Sequence, residues 1–118
     1  MTKRLTPDAT YTFAELDREH QGEIVGNLGR KVAQQTVWKF VPDFPVDAAA
    51  ALADDTAIQI FDHDIESIVE AIKHQGGVKR PILIDELDED ESWMEGRHRS
   101  LASQEMGLKT IPALYRVE

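Results

Sequence analysis

A single glycine between a strand-like and a helix-like segment does most to limit what this chain can fold into. Residues 93–100 read Trp-Met-Glu-Gly-Arg-His-Arg-Ser, with a strand-like run before Gly96 and a helix-like one after it. A glycine at a strand-to-helix junction exposes the free amides of the first helical turn, and those donors with the helix dipole favour a bound anion. Arg97, His98 and Arg99 add side-chain donors suited to phosphate, and Ser100 completes the candidate binding stretch. The plainer alternative is that Gly96 only shapes a turn and the arginines pair with nearby acids.

The segments around this junction alternate between helical and extended patterns. Ile65, Ile68, Val69 and Ile72 fall at i, i+3, i+4 and i+7, one buried helical stripe, with Asp62 or Asp64 as N-cap and Gly76-Gly77 as the stop. Pro81 to Ile84 reads as a short strand, the acidic stretch after it as a hairpin-like loop, and Ser92-Trp93-Met94 as a second strand. Leu101, Ala102, Glu105 and Met106 continue the helix from the Gly-Arg turn, with Gly107 at C′. Thr110 to Val117 closes as a strand, and Pro112 points to an edge or a strand start.

Upstream, Pro7 and Asp8 favour a turn in a loose, polar start. Thr12 and Glu15 have capping-box spacing, so a helix is expected from about Phe13, broken near Gly22. Gln35 to Val41 is a β-branched and aromatic strand, and Pro42 and Pro45 keep the backbone after it extended or turning. Asp47 is the expected cap of a short helix over Ala48–Ala53. Ala57, Ile58, Ile60 and Phe61 make a brief apolar run before the next helix.

At 118 residues the chain is expected to form one domain. It contains no cysteine, which removes disulfides, thiolate metal sites and cysteine nucleophiles. Neither a membrane-length apolar run nor a charged-then-apolar leader is visible, so a cytoplasmic protein is expected. The net charge of −9 argues against unaided duplex DNA binding. That charge is uneven: six of the seven residues 85–91 are acidic, whereas residues 96–117 carry Arg97, Arg99, Lys109 and Arg116 against Glu105 alone. A small basic patch on an acidic protein suits a compact anionic ligand.

Residues 64–117, read in order, resemble the ParB/sulfiredoxin superfamily. The matching pieces are Ile68, Ile72 and Gly76, then Val78-Lys79-Arg80-Pro81-Ile82-Leu83-Ile84. After them come Glu95-Gly96-Arg97-His98-Arg99-Ser100-Leu101-Ala102 and Gly107-Leu108-Lys109-Thr110-Ile111-Pro112. The resemblance implies a small α/β (α+β) domain, a mixed sheet flanked by helices, whose Gly-x-x-Arg turn binds nucleotide phosphates. Residues 61–118 would be that core, and residues 1–60 a helical extension and first strand packed on it within one domain. Gly96, Arg97, His98 and Arg99 would be the phosphate turn, and Lys79 and Arg80 further polar contacts to a nucleoside triphosphate, CTP or ATP, with Mg²⁺. In this superfamily such a pocket serves CTP-gated DNA clamping, ATP-dependent repair of oxidised cysteine, phosphorylation of free serine and nuclease activity. Sulfiredoxins place a nucleophilic cysteine where this chain has Arg97, so that chemistry is not expected. Partition proteins continue into a helix-turn-helix where this sequence ends at Glu118, so centromere binding is not expected either. The stretch Tyr11 to Leu16 is similar to helical openings of small phage and mobile-element proteins.

Nucleotide hydrolysis or phosphoryl transfer needs charge neutralisation and a carboxylate for metal or nucleophile. Glu95 lies beside the turn, and the resemblance to serine kinases of this fold offers Asp62 and Glu66 as bases; simple helix capping is the alternative for Asp62 and Asp64. His98 is better placed for acid–base or phosphate work than His20, His63 or His74. His63 between two aspartates has a metal-binding composition, but adjacent helical residues diverge. Trp38 and Trp93 read as core residues before base-stacking platforms. A second functional class stays open: a non-catalytic acidic module or inhibitor, docking a basic protein surface through residues 85–91 or imitating nucleic acid.

Overall fold

Residues 5–54 and 62–118 are described in the computed structural model of the chain. The apolar run expected at 57–61 lies outside them, as do the side chains of Asp62, His63 and Asp64. The strands are β1 (Thr10–Thr12), β2 (Val37–Pro45), β3 (Ile82–Asp85), β4 (Trp93–Glu95) and β5 (Thr110–Arg116). The helices are α1 (Arg18–Leu28), α2 (Arg30–Ala33), α3 (Val46–Asp54), α4 (Asp62–Gln75) and α5 (Arg97–Glu105). Together they form an α+β domain on one mixed sheet, as the sequence leads one to expect.

The sheet order is β1-β2-β5-β3-β4. Only β3 and β5 run parallel, and the connection between them carries β4 and α5. Alternate residues of the central strands feed two cores. On one face Ile82, Ile84, Met94, Ile111 and Ala113 pack against Val46, Ala49 and Ala53 of α3, with Leu101 of α5 beside them. On the other face Leu83, Leu114 and Trp38 meet Ile24 of α1 and Ala33 of α2. Trp38 is buried and edge-on to Trp93, ring centroids 5.9 Å apart, so both are packing residues.

Several local expectations change in this context. The Thr12 amide does donate to Glu15 Oε1 at 2.9 Å, but the turn it opens is a single 3-10 turn, Phe13–Glu15, following the short edge strand β1. The long helix starts later, at Arg18, where Asp17 accepts from the His20 amide at 2.7 Å. It runs unbroken through Gly22 and Gly26, because both glycines lie on its exposed side while His20 and Ile24 bury the other. The break comes at Gly29, with φ +80°. Asp47 lies within the first turn of α3 rather than capping it.

Pro112 marks neither an edge nor a strand start. β5 is the middle strand of the sheet, and the proline is tolerated through its register. Val41 pairs with Ala113 and Phe44 with Ile111, so Pro42 and Asp43 bulge opposite Pro112, while the pairing with β3 begins only at Ala113. The missing N–H therefore falls where neither neighbour offers a regular acceptor.

The helix stops follow the sequence. The Gly77 amide donates to Ile72 O at 3.0 Å, with Gly76 at φ +77°. At the end of α5 the Leu108 amide donates to Ser103 O and the Gly107 amide to Gln104 O, each at 3.0 Å, the paired bonds that a C′ glycine permits.

Candidate functional site

Because β4 runs antiparallel to β3, with Glu95 opposite Leu83, the turn after β4 falls beside Ile82 at the N-terminal end of β3. Gly96 caps α5 there with φ +110° and ψ 30°, left-handed backbone that disfavours any side chain. A Cβ at this position would stand 2.4 Å from Ile82 Cγ2. The glycine thus holds the strand-to-helix turn against the sheet, as well as allowing its conformation.

The first turn of α5 is open. Its first closing bond runs from the Ser100 amide to Gly96 O at 2.9 Å, and Ser100 Oγ donates to the same carbonyl at 2.9 Å. The buried Ser100 hydroxyl is therefore a structural clasp. Among the described residues nothing accepts from the amides of Arg97, His98 and Arg99. Arg97 is half-buried and its Nε has no partner, while His98 and Lys79 are exposed.

The other arginines face inward. Arg99 Nη1 donates to the Arg80 and Pro81 carbonyls, the latter at 3.3 Å. Its guanidinium stitches the first turn of α5 to the entry of β3. Burial, followed by the nearby charge of Arg80, lowers its proton affinity below the ordinary arginine value. Arg80 is held by carboxylates of α1 and its N-cap: it pairs with Glu23, with Glu19 at 3.2 Å and, at 3.9 Å, with the cap Asp17. Among the described residues neither arginine of the turn pairs with an acid: Arg99 goes to backbone oxygens, and the carboxylates near α1 pair with Arg80 instead.

His20 closes this knot from α1. Its Nε2 lies 3.0 Å from Pro81 O and its Nδ1 3.1 Å from Asp17 Oδ1. Burial is the largest influence and lowers the imidazole pKa; the Pro81 carbonyl, Asp17 and Glu23 pull upward without reversing it, and Arg80 adds to the lowering. Sequence reasoning ranked His20 behind His98, since nothing local signals that a residue on α1 will meet residue 81.

The candidate carboxylates do not converge on the turn. Glu95 accepts from Asn27 Nδ2 at 2.9 Å, on the α1 side of the sheet. Glu66 is exposed on α4 in a shallow pocket with Glu105 and Met106, at the opposite end of α5 from Gly96. A helix of that length separates its ends by roughly 12 Å. Asp62 opens α4, and its side chain lies outside the described residues. Among the described residues no three His, Asp or Glu side chains gather as a metal-binding group, and no helix is long and apolar enough to cross a membrane.

The opposite end of β3 holds a second polar feature. The buried Asp85 pairs with Arg116 of β5, Oδ2 to Nη1 at 2.9 Å, and its Oδ1 accepts from the Leu87 amide at 3.1 Å. This pair floors a groove of about 780 Å³ bordered by the acidic stretch. Comparison with family models, curated proteins and solved structures gives no match for this chain.

Proposed function

We propose that this protein binds the phosphates of a nucleotide at the first turn of α5, the ligand class implied by the resemblance of residues 64–117 to the ParB/sulfiredoxin superfamily. The observation that carries the reading is the set of amides at Arg97, His98 and Arg99, without acceptors among the described residues, above a glycine that fits where a side chain would collide. Amides at a helix start bind an anion without a large desolvation penalty, and the helix dipole adds to the attraction. The buried, unpartnered Nε of Arg97 is a donor in search of an oxygen. Exposed Lys79 and His98 supply further donors at the rim. Arg80 and Arg99 are assigned to fixing the position of the turn, because Arg80 pairs with the α1 carboxylates through Nε and Nη2 and Arg99 Nη1 donates to the Arg80 and Pro81 carbonyls.

Binding is the proposed activity; hydrolysis and transfer are left out of it. Glu95 is held by Asn27, and Glu66 stands at the far end of α5. A Mg²⁺ arriving with the nucleotide would be held mainly by phosphate oxygens and water, as is usual for that ion.

Calorimetric titration with CTP, ATP and GTP, each with Mg²⁺, tests the reading on the native protein and on Arg97→Ala. One nucleotide should bind, and the variant should weaken it about tenfold, the worth of one charge-assisted phosphate contact. Lack of binding to all three by the folded protein, or equal affinity in the variant, would overturn it.

A further inference from the structure

The groove at the C-terminal end of β3 combines apolar exposure with uncompensated charge. Leu87 and Val32, 52% and 45% exposed, both line it, and Leu28 extends the apolar wall. One exposed leucine is ordinary at a protein surface, but here Leu87, Val32 and Leu28 line the same groove, with the acids of residues 85–91 at its mouth. The floor is neutral because Asp85 and Arg116 satisfy each other. The rim is not: Asp88, Asp90 and Glu91 are exposed, and none forms an ion pair among the described residues. Arg30 and Lys31 lie on neighbouring α2 but do not line the groove.

A ligand for such a surface must bury aliphatic carbon against Leu28, Val32 and Leu87 while bringing positive charge to the rim. Phosphate-bearing ligands and nucleic acid are repelled by the three carboxylates. A lysine or arginine with an adjacent aliphatic residue meets both requirements, since its charged head reaches the rim and the apolar side chains cover the wall. We propose that the groove between α1–α2 and residues 85–91 docks a peptide segment of a partner protein that presents basic residues flanked by aliphatic ones. This surface is at the other end of β3 from the Gly96 turn, so it stands or falls independently of nucleotide binding.

The test is selection of displayed random dodecapeptides on the full-length folded protein. The winning synthetic peptide is then titrated by anisotropy and by amide chemical-shift mapping. The expected consensus pairs Lys or Arg with Leu, Ile or Val, and the shifted amides include Leu28, Val32, Leu87 and Asp90. Leu87→Ser and the double change Asp90→Asn with Glu91→Gln should each weaken binding about tenfold, the first independently of salt and the second mainly at low salt. Both changes are at exposed positions, so the fold is retained. Absence of enrichment, a consensus without basic residues, shifts that map elsewhere, or unchanged affinity in both variants would each overturn the proposal.

Discussion

At its N-terminal end β3 is gripped by two arginines, a histidine and the carboxylates of α1, whereas at its C-terminal end one arginine meets one aspartate and Asp88, Asp90 and Glu91 are exposed. The first arrangement is knitted together: Arg80 is neutralised by Glu19 and Glu23, and Arg99 Nη1 donates to the carbonyls of Arg80 and Pro81. What stays available there is backbone, the amides opening α5. The second arrangement is open, because Asp85 and Arg116 satisfy each other and leave a rim of carboxylates above an apolar wall. A count of charges along the sequence therefore misleads at both ends. Arg99 and Arg116 of the basic stretch hold structure together, and Asp88, Asp90 and Glu91 of the acidic stretch contribute surface.

The largest effect that bears on this contrast is expected at Gly96. Gly96→Ala forces a side chain into left-handed backbone and 2.4 Å from Ile82 Cγ2. Strain and overpacking together should cost about 4 kcal/mol in urea unfolding. A cost under about 1 kcal/mol would mean the turn is not clamped to β3 as described.

Next comes the pair at the other end. Asp85 and Arg116 side chains are 3% and 16% exposed, so Arg116→Met leaves a carboxylate in a nearly dry site. The expected loss is about 3 kcal/mol, with Asp85→Asn in the same chain recovering part of it. If the double variant is no more stable than the single one, Asp85 is not relying on Arg116.

Arg99→Ala should cost about 2 kcal/mol through its two carbonyl bonds, while nucleotide affinity changes less than in Arg97→Ala. The reverse pattern, full stability with binding abolished, would reassign Arg99 from clasp to ligand contact and erase the difference between the two ends.

The smallest effect is a pH dependence confined to the N-terminal end. His20 has a folded pKa below its ordinary value of 6.5, so between the two values the unfolded chain binds more protons. Its contribution to stability is complete above pH 6.5, is lost as pH falls toward the folded pKa, and levels off below it. His20→Gln should flatten this part of the stability profile, measured by urea unfolding between pH 7.5 and 5. An unchanged slope would assign the dependence to other groups.

What the sequence determined by itself is local. The Gly77 and Gly107 stops, the strand-turn-helix at Gly96 and the helix α4 were legible because each depends on residues a few positions apart, although of the expected buried stripe only Ile72 is buried and Ile65, Ile68 and Val69 are half-buried. The strand at Val37 was legible from its β-branched and aromatic run. Tertiary structure decided the rest, for reasons that involve distant residues. Pro112 suits a central strand only because β2 bulges opposite it. Gly22 lies within a continuous helix because packing of the opposite face of α1, at His20 and Ile24, outweighs the low helix propensity of glycine. The duties of Arg80, Arg99 and His20 follow from α1 and α5 meeting across the start of β3, contacts spanning up to 61 positions in the chain. Polar side chains take the partners that folding brings within about 3 Å, and spacing along the sequence carries no record of those distances.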